Sequence, residues 1–580
     1  MNGVPSSKPL LIFDGRCGFC RIWIDYFRKL TGDRVEYAAS QDVGEQYPQI
    51  PKEQFSKSVQ FVRPDGSVER GARAVLATLG LEKLYIFPGL LEWKYRLIAG
   101  HRDFFYHLTK WTFGTRIEPA RFALTQWIFV RLLAVIYAIA FGSLSVQVKG
   151  LLGANGILPV SEYLKAVTEA APALRFYYVP SIFWINASDG ALEGVCYAGI
   201  GIAALVLVGI FERAGLAVLF VLYLSLSAVG QDFLSFQWDS LLIETGFLAI
   251  FLGPSRIVVW LYRWLLFRLM FMSGAVKLLS HDPTWRGFTA LSYHYWTQPL
   301  PNRISWYMAQ LPLSFQKMST AWTLVVELGV PFLIFAPRRL RILGAWCLLL
   351  LQTLIFLTGN YTFFNLLAVG LCLFLFDDRD FDWLRKRPAQ KAVKYRWAYA
   401  VLAVVIVAIG LARMFETFSG QAVGIVKYTA PFQIVNSYGL FAAMTVERPE
   451  IVIEGSMDGE NWVPYSFRYK AGDPARAPRW IEPFQPRLDW QMWFAALGNY
   501  RENTWFVNFV VRLLQGSAEV KGLLEADPFG GKSPRYIRAL LYDYSFTDFE
   551  ERRKTGNWWR RSEKGLYLPA IGLKAVSQFP

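Results

Sequence analysis

Two cysteines near the amino terminus have the spacing of a redox-active dithiol. Cys17 and Cys20 are separated by two residues and follow the apolar run "LLIF", which predicts a strand that ends where a helix begins. The start of a helix and a neighbouring cation both favour a thiolate. Arg16 supplies the predicted cation, Cys17 is the predicted nucleophile, and Cys20 would resolve the mixed disulfide.

Zinc binding is the alternative use of these two thiols. A zinc site would need further ligands, and His101 and His107 are the histidines that could complete it. They lie far along the chain without tight ligand spacing, so the pattern favours redox chemistry. The sequence accordingly predicts neither a metal nor a cofactor beyond the dithiol itself.

The elements around the dithiol predict a small soluble α/β domain over residues 1–115. An amphipathic helix pattern follows the cysteines, and then come a short strand pattern in "VEYAA", a hairpin with its turn at Pro64-Asp65-Gly66, and a second helix pattern. The order strand, dithiol, helix, strand, hairpin and helix is thioredoxin-like.

The motif "DGRCGFC" and the later "VRPDGSVERGARAVLATLG" resemble the DCC family of thiol-disulfide oxidoreductases. The resemblance implies that Asp14, Cys17 and Cys20 are the motif residues and that a thioredoxin-type reductant is a partner. No proline directly precedes "SVQFV", where thioredoxins carry the cis-proline that shapes substrate binding. Exchange with peptide disulfides is therefore not implied.

The composition of the whole chain predicts a membrane protein. Of the 580 residues 54% are hydrophobic, and the mean hydropathy is +0.26, which is high for a soluble protein of this length. The formal net charge is +16, but the basic residues cluster between apolar runs and across the last third of the chain. This arrangement favours membrane topology over nucleic-acid binding.

Nine apolar runs predict a polytopic bundle over residues 120–415. The clearer runs approach the ~20 residues that cross a bilayer as a helix, whereas the fourth and the eighth are shorter. The predicted spans are 122–144, 191–210, 214–230, 239–252, 257–276, 319–335, 340–357, 363–376 and 397–414.

Two short basic segments, 337–341 and 379–396, orient the predicted bundle. The positive-inside rule places both segments in the cytoplasm. With nine spans the N-terminal domain is then cytoplasmic, and residues 416–580 are extracytoplasmic. The apolar run near the amino terminus is too short for a signal-peptide core, so no cleavable leader is expected.

Three acidic residues fall within the apolar runs, namely Asp239, Glu244 and Glu327. Ionisable groups at membrane depth are costly, which makes each of them a candidate functional residue. The alternative is structural and is favoured: Asp239 lies at the membrane interface, and Glu244 pairs with Arg263 or Arg268.

Residues 416–580 predict a water-exposed, β-rich domain. The segment "PEIVIEGSMDGENWVPYSFRYK" predicts a hairpin with its turn at Asp458-Gly459, and "WFVNFVVRLLQG" predicts an amphipathic helix that ends at Gly516.

In "QPRLDWQMWFAAL" polar and apolar residues alternate, which predicts a strand. Such a strand would offer Arg487, Asp489, Trp490 and Trp493 to a client polypeptide. The alternative, favoured by the spacing alone, is that the tryptophans are core and that Arg487 pairs with Asp489 or another acid.

Five segments carry a second and longer resemblance, across residues 122–569, to the lipase maturation factor family. They are "SFQWDSLLIETGFLAIFL", "VNSYGLFAAMTVERPEIVIEGSMDGENW", "QPRLDWQMWFAAL", "DPFGGKSPRYIRALLYDYSFTD" and "GNWWRRS". The resemblance implies a polytopic membrane protein that helps secreted lipases reach their active, assembled form. The fused dithiol domain is typical of bacterial members and implies a bacterial inner membrane, or the endoplasmic reticulum membrane if the chain is eukaryotic.

Three hypotheses follow. In the first, the chain is a membrane maturation factor that contacts lipid, binds lipase-like exported clients and performs no hydrolysis. In the second, it is a membrane thiol-disulfide oxidoreductase whose bundle binds a quinone-like partner or relays electrons through Cys347 and Cys372, although buried cysteines more often act as small hydrophobic residues. The third is a transporter-like bundle that uses Glu244, Glu327 and the arginines.

Overall fold

A computed structural model describes residues 7–115, 117–253, 255–384 and 396–573. The chain divides into two compact units, which we call the dithiol unit (Met1–Arg121 with Ala336–Leu343) and the bundle unit (Phe122–Phe335 with Gly344–Pro580). The C-terminal region belongs to the bundle unit, so the boundary predicted at residue 415 does not separate compact units. Residues 385–395 of the predicted basic segment lie outside the described residues.

The dithiol unit is built on a four-stranded mixed sheet of order β2-β1-β3-β4. Its strands are β1 Leu10–Phe13, β2 Glu36–Ala39, β3 Gln60–Val62 and β4 Val68–Arg70. Its helices are α1 Gly18–Thr31, α2 Ser40–Val43, α3 Lys52–Lys57, α4 Gly71–Thr78, α5 Pro88–Gly100 and α6 Arg102–Thr112. β1 pairs parallel with β2 and antiparallel with β3, and the β3–β4 hairpin turns at Gly66, whose φ is +83°. The predicted order of elements is confirmed.

Seven helices of the described residues are long and apolar enough to cross a membrane. They are α7 Ala123–Ser145, α11 Asp189–Val208, α12 Glu212–Val229, α14 Arg256–Leu279, α18 Leu313–Leu328 with its continuation to Phe335, α19 Arg338–Thr358 and α21 Arg396–Ser419. The fourth and eighth predicted spans correspond to α13 Gln237–Ile250, of 14 residues, and α20 Phe364–Cys372, of 9 residues. Both are shorter than the ~20 residues that a full crossing needs.

Contacts at their ends show where the two short helices run. Leu252, just after α13, accepts a hydrogen bond from Arg213 at the start of α12 (3.1 Å), so α13 returns antiparallel to α12. Asn360, before α20, donates to the carbonyl of Arg479 in the C-terminal region (2.9 Å). Asp378, after α20, accepts from the first amides of α7 at 2.9 and 3.0 Å. Each short helix thus connects the same two ends of the bundle as a long neighbour.

The C-terminal region contains an antiparallel sheet of order β6-β5-β7-β8. Its strands are β5 Pro449–Ser456, β6 Val463–Pro464, β7 Tyr536–Phe546 and β8 Trp559–Ile571, and its helices are α22 Gly424–Thr429, α23 Arg487–Ala496, α24 Thr504–Gln515, α25 Ala518–Lys521 and α26 Phe549–Thr555. The predicted hairpin is confirmed with a shorter second strand, and α24 ends at Gly516 (φ +81°) as predicted.

Short helices fill the connections of the bundle. They are α8 Val148–Leu152, α9 Val160–Ala170, α10 Arg175–Tyr178, α15 Pro283–Arg286, α16 Ala290–Thr297 and α17 Arg303–Ala309. α16 packs against α17 and α18, so this part of the connection belongs to the body of the bundle unit.

Candidate functional site

Cys17 stands at the N-terminal cap of α1. Its sulfur accepts a hydrogen bond from the backbone amide of Cys20 (3.3 Å). The pKa of Cys17 is lowered to about 6, first by the hydrogen bond from the Cys20 thiol, then by the Cys20 amide and the charge of Arg102, against the opposing effects of burial and Asp14. A thiol with this pKa is largely a thiolate at neutral pH and can act as the nucleophile.

Cys20 has the opposite environment. Its pKa is raised, chiefly because its thiol donates the hydrogen bond to Cys17, and further by burial and by the charge on Cys17. The two sulfurs therefore differ in protonation, and the assignment of Cys17 as nucleophile and Cys20 as resolving thiol stays consistent with the geometry. A cavity of about 240 Å³ lies beside Cys20, with Phe19, Trp23 and Arg102 in its wall.

Arg102, rather than Arg16, is the cation that acts on the dithiol. Arg16 is exposed, and its backbone amide donates to Asp14 (3.0 Å), which also accepts from Gln41 (3.0 Å). Arg102, at the start of α6, lies 3.7 Å from the Asp14 carboxylate and lowers the pKa of Cys17. The prediction for Arg16 was wrong because adjacency in sequence does not aim a side chain at its neighbour.

The described residues do not provide a set of ligands for zinc. Within residues 7–115, 117–253, 255–384 and 396–573, no three His, Cys, Asp or Glu side chains are grouped so that they could hold a metal ion. Cys347 is half-buried in α19 and Cys372 is buried at the end of α20, and an electron relay through them stays a prediction.

Asp239 in α13 binds Arg487 in α23, which joins the bundle to the C-terminal region. The guanidinium of Arg487 donates to the two carboxylate oxygens at 2.8 and 3.0 Å, and the Tyr223 hydroxyl donates to the same carboxylate at 2.5 Å. Asp239 and Arg487 are completely buried. The partner of Asp239 is an arginine 248 residues away, and the placement of Asp239 at the membrane interface stays a prediction.

Glu244, five residues further along α13, holds a second C-terminal segment. One carboxylate oxygen pairs with Arg268 of α14. The other accepts from the Asn436 amide (2.8 Å) and from the Tyr438 hydroxyl (2.7 Å), while Arg268 donates to the Asn436 carbonyl (2.9 Å). The predicted pairing of Glu244 with Arg268 is confirmed. We call Asp239, Glu244, Arg268 and Arg487 the α13 anchor.

The bundle unit contains further buried ion pairs. Glu327 of α18 pairs with Lys277 of α14 (2.8 Å). In the C-terminal region, Glu450 bridges Arg448 (2.7 Å) and Lys470 (2.9 Å). These basic partners could not be predicted from the sequence, because a lone Lys or Arg in an apolar segment does not reveal which acid it meets.

Apart from the exposed Phe494, the remaining residues of α23 are buried, and the segment is a helix rather than a strand. Trp490 and Trp493 are buried, and Trp493 donates to the carbonyl of Thr297 (2.9 Å). Burial raises the pKa of Asp489, whose carboxylate accepts from the backbone amides of two residues at 2.8 and 2.9 Å. The strand prediction was wrong. This helix is buried on almost all sides, and each of its polar side chains has its own buried partner. The polar and apolar residues of the segment therefore do not repeat with the helical period.

This arrangement is suited to docking of the C-terminal region on the bundle. Asp239, Glu244 and Glu327 each neutralise a basic side chain inside the protein, and the α13 anchor binds both side chains and backbone of the C-terminal region. A carboxylate saturated in this way is not a free ligand for a transported ion. These features define a polytopic helical membrane protein whose β-containing C-terminal region is bound to its bundle by buried charges.

Comparison with known proteins identifies the family. Residues 124–383 match the model of the lipase maturation factor transmembrane domain, and residues 434–569 match that of the lipase maturation factor C-terminal domain. The chain belongs to the lipase maturation factor family. Asp239 and Glu244 fall in the first matched segment and Arg487 in the second, whereas the dithiol precedes both.

Curated relatives cover most of the chain. Lipase maturation factor 2 of Gallus gallus is 36% identical, with 77% of this chain and 81% of the relative aligned. Lipase maturation factor 1 of Mus musculus is 33% identical, with 80% and 90% aligned, and lipase maturation factor 2 of Homo sapiens is 33% identical, with 78% and 83% aligned. No solved structure matches the chain.

We expect the alkylation of Cys17 by iodoacetamide to titrate with a midpoint near pH 6, since only the thiolate reacts and the pKa of Cys17 is about 6. Arg102→Gln should raise this midpoint, because it removes a positive charge and leaves Asp14 unpaired beside the sulfur. Arg16→Gln is the matched control and should leave the midpoint unchanged. Peptide mapping of the full-length protein measures Cys17 alone; equal shifts in both variants would contradict the assignment of Arg102.

Arg487→Met should lower the free energy of unfolding by about 3–5 kcal/mol, because it leaves the Asp239 carboxylate buried without its partner. The double variant Arg487→Met/Asp239→Leu should recover most of this loss. Arg501→Met, which changes an exposed arginine, should stay within about 0.5 kcal/mol of the wild type. Unfolding in detergent, followed by tryptophan fluorescence, measures all four proteins; equal stability of the two single arginine variants would refute the role of the pair.

Proposed function

We propose that the chain is a membrane-embedded maturation factor for exported proteins of the lipase type. The proposal rests on membership of the lipase maturation factor family and on one observation, the Arg487–Asp239 pair. This pair fixes the C-terminal region on the bundle. The membrane-embedded protein therefore presents a rigid surface to a client. The factor assists folding or assembly and carries out no hydrolysis.

Client contact is assigned to the exposed surface at the carboxyl end of α23 and the residue that follows it. Phe494 and Leu497, one helical turn apart, are each 43% exposed, whereas Trp490 and Trp493 are buried behind them. Exposed apolar side chains on a rigid element are suited to a partly folded polypeptide whose own apolar surface is still open. We therefore assign to Phe494 and Leu497 the client-binding role that the sequence predicted for the tryptophans.

Phe494→Ser/Leu497→Ser should reduce the activity of a co-expressed secreted lipase, measured per mass of lipase released by cells without their own maturation factor. The substitutions remove client contact area and no buried contact of the α13 anchor. Leu566→Ser, which changes a 60% exposed residue of β8, is the control and should retain full activity. Normal maturation by the double variant, present at wild-type level in the membrane, would refute the assigned surface.

Thiol-disulfide exchange at Cys17 is a second candidate activity, favoured by the lowered pKa of this thiol and by the cavity beside Cys20. A thioredoxin-type reductant would restore the dithiol after each exchange. In the lipase assay, Cys17→Ser/Cys20→Ser separates the two functions. We expect unimpaired lipase maturation, since the dithiol precedes both matched segments of the family; loss of maturation would favour the oxidoreductase reading.

We propose nine crossings, in which α13 and α20 traverse the membrane region as short helices enclosed by their neighbours. Their end contacts support this count, and the basic segment 337–341 assigns the cytoplasmic side by the positive-inside rule. An odd number of crossings puts the dithiol in the cytoplasm and the C-terminal region outside. We propose that the protein resides in a bacterial inner membrane, and the endoplasmic reticulum membrane is the alternative location.

A membrane-impermeant maleimide tests this topology. In intact cells it should leave Cys17 unmodified and should label a cysteine introduced at Ser562, which is exposed on β8. Permeabilised cells provide the control, because Cys17 must then react. Labelling of Cys17 in intact cells would overturn the nine-crossing proposal.

A further inference from the structure

A cavity of about 400 Å³ lies between α14, α16, α18 and α19, and the proposed function does not use it. Its volume falls within the roughly 300–1,000 Å³ of small-molecule sites. Most of its wall is apolar, as the following six residues illustrate: Leu269, Met270, Phe315, Trp322, Leu351 and Ile355. The cavity thus has the size and lining to hold an apolar chain.

The rim of this cavity is exposed on two helices that are long and apolar enough to cross a membrane. Met318 and Trp322 of α18 and Leu354 of α19 line the cavity and are 63%, 37% and 41% exposed. A ligand that enters between these two helices comes laterally from the bilayer, so it is a membrane lipid rather than a water-soluble metabolite.

The charges in the cavity wall cancel. The ammonium group of Lys277 uses its three donors on the two carboxylate oxygens of Glu327 (2.8 and 2.9 Å) and on the Ser273 carbonyl (3.1 Å). No donor of this lysine remains for a carboxylate or phosphate headgroup. The pair therefore favours a neutral lipid over an anionic one.

Gln352 supplies an acceptor that lacks a partner. Its side chain lines the cavity and is 4% exposed, and its Oε1 atom has no hydrogen-bond partner among the described residues. Among the described residues, its amide nitrogen contacts the sulfur of Met270, at 3.7 Å. A buried, unpartnered carbonyl is unfavourable, and a ligand that donates a hydroxyl proton to it removes this cost.

His294 supplies a second acceptor. The Tyr361 hydroxyl donates its one proton to Gln298 (2.8 Å), whose amide nitrogen is itself held by two backbone carbonyls. The 3.0 Å contact between Tyr361 and His294 must therefore be a donation from Nε2, which leaves a lone pair on Nδ1. Burial, helped by the charge of Lys277, lowers the pKa of His294 to about 4, so the ring is neutral at physiological pH.

We propose that this cavity binds one neutral membrane lipid with a single acyl chain and a hydroxyl-bearing head, whose hydroxyls donate to Gln352 Oε1 and His294 Nδ1. Monoacylglycerol is the simplest lipid of this chemistry. Its chain packs against the apolar wall, and its head needs no counter-ion. The site goes beyond the maturation role and does not depend on the client surface at α23.

Three radiolabelled probes with the same chain test the proposal on the purified full-length protein: 1-monooleoylglycerol, methyl oleate and oleate. Since a hydrogen bond within a binding site changes affinity by roughly twofold to tenfold, the wild type should bind monooleoylglycerol about tenfold more tightly than methyl oleate. Oleate should bind more weakly than monooleoylglycerol because Lys277 is already neutralised. Equal affinity for monooleoylglycerol and methyl oleate, or tightest binding of oleate, would overturn the proposal without any variant.

Two glutamine variants form a matched pair for the role of Gln352. Gln352→Leu should reduce the preference for monooleoylglycerol over methyl oleate about fivefold and leave the affinity for methyl oleate unchanged. Gln316→Leu is the control, since Gln316 is equally buried, also has an unpartnered Oε1 and does not line the cavity. It should retain the wild-type preference, and loss of the preference in both variants would refute the assignment.

Ser319→Trp tests the cavity independently of hydrogen bonding. Ser319 lines the cavity from α18, and an indole at this position would occupy the space of the acyl chain. Binding of monooleoylglycerol and of methyl oleate should fall together by at least about tenfold. Unchanged binding of both probes would place the lipid elsewhere in the bundle.

Discussion

The ion pair between Arg487 and Asp239 joins parts of the chain that are 248 residues apart, and the position of the C-terminal region depends on it. Neither charge has access to water, so each requires the other. The same guanidinium also donates to the carbonyl of Phe233, and the amide of Arg487 donates to the side chain of Gln147, between α7 and α8. One residue of the C-terminal region thereby contacts three separate segments of the bundle.

Buried charges can determine a geometry even where they contribute little net stability. An ion pair away from water compensates its desolvation only if the distances and remaining hydrogen bonds are good, so a shifted C-terminal region would leave several groups unpaired at once. Glu244 illustrates this, because it binds Arg268 and Asn436 together, and Arg268 also binds the backbone of Asn436. The docking therefore tolerates little variation in orientation.

Local patterns predicted the local elements, whereas the partners of most charged residues could not be predicted. The dithiol turn, the hairpin at Gly66 and the end of α24 at Gly516 depend on a few neighbouring residues, and all three are present. Arg102 and Arg487 meet partners from distant parts of the chain, about which spacing carries no information.

The error over α23 has a similar cause. Periodicity reports which side of an element faces solvent, and a helix that is buried almost all round has no such side. The cavity lined by Gln352 could not be predicted from the sequence either, since residues from several separate helices form its wall. What the spacing did identify correctly in the bundle was the pairing of Glu244 with Arg268, because both lie in consecutive apolar runs.

Asp378 has a consequence for how the protein is made. It accepts from the first amides of α7, and these amides precede it by about 255 residues. While the ribosome is still translating the middle of the bundle, α7 has no carboxylate at its amino end, and Asp239 has no arginine until the C-terminal region emerges. A nascent or truncated chain therefore exposes unmet polar groups at both ends of the bundle, by which quality-control proteases and chaperones can distinguish it from the finished protein.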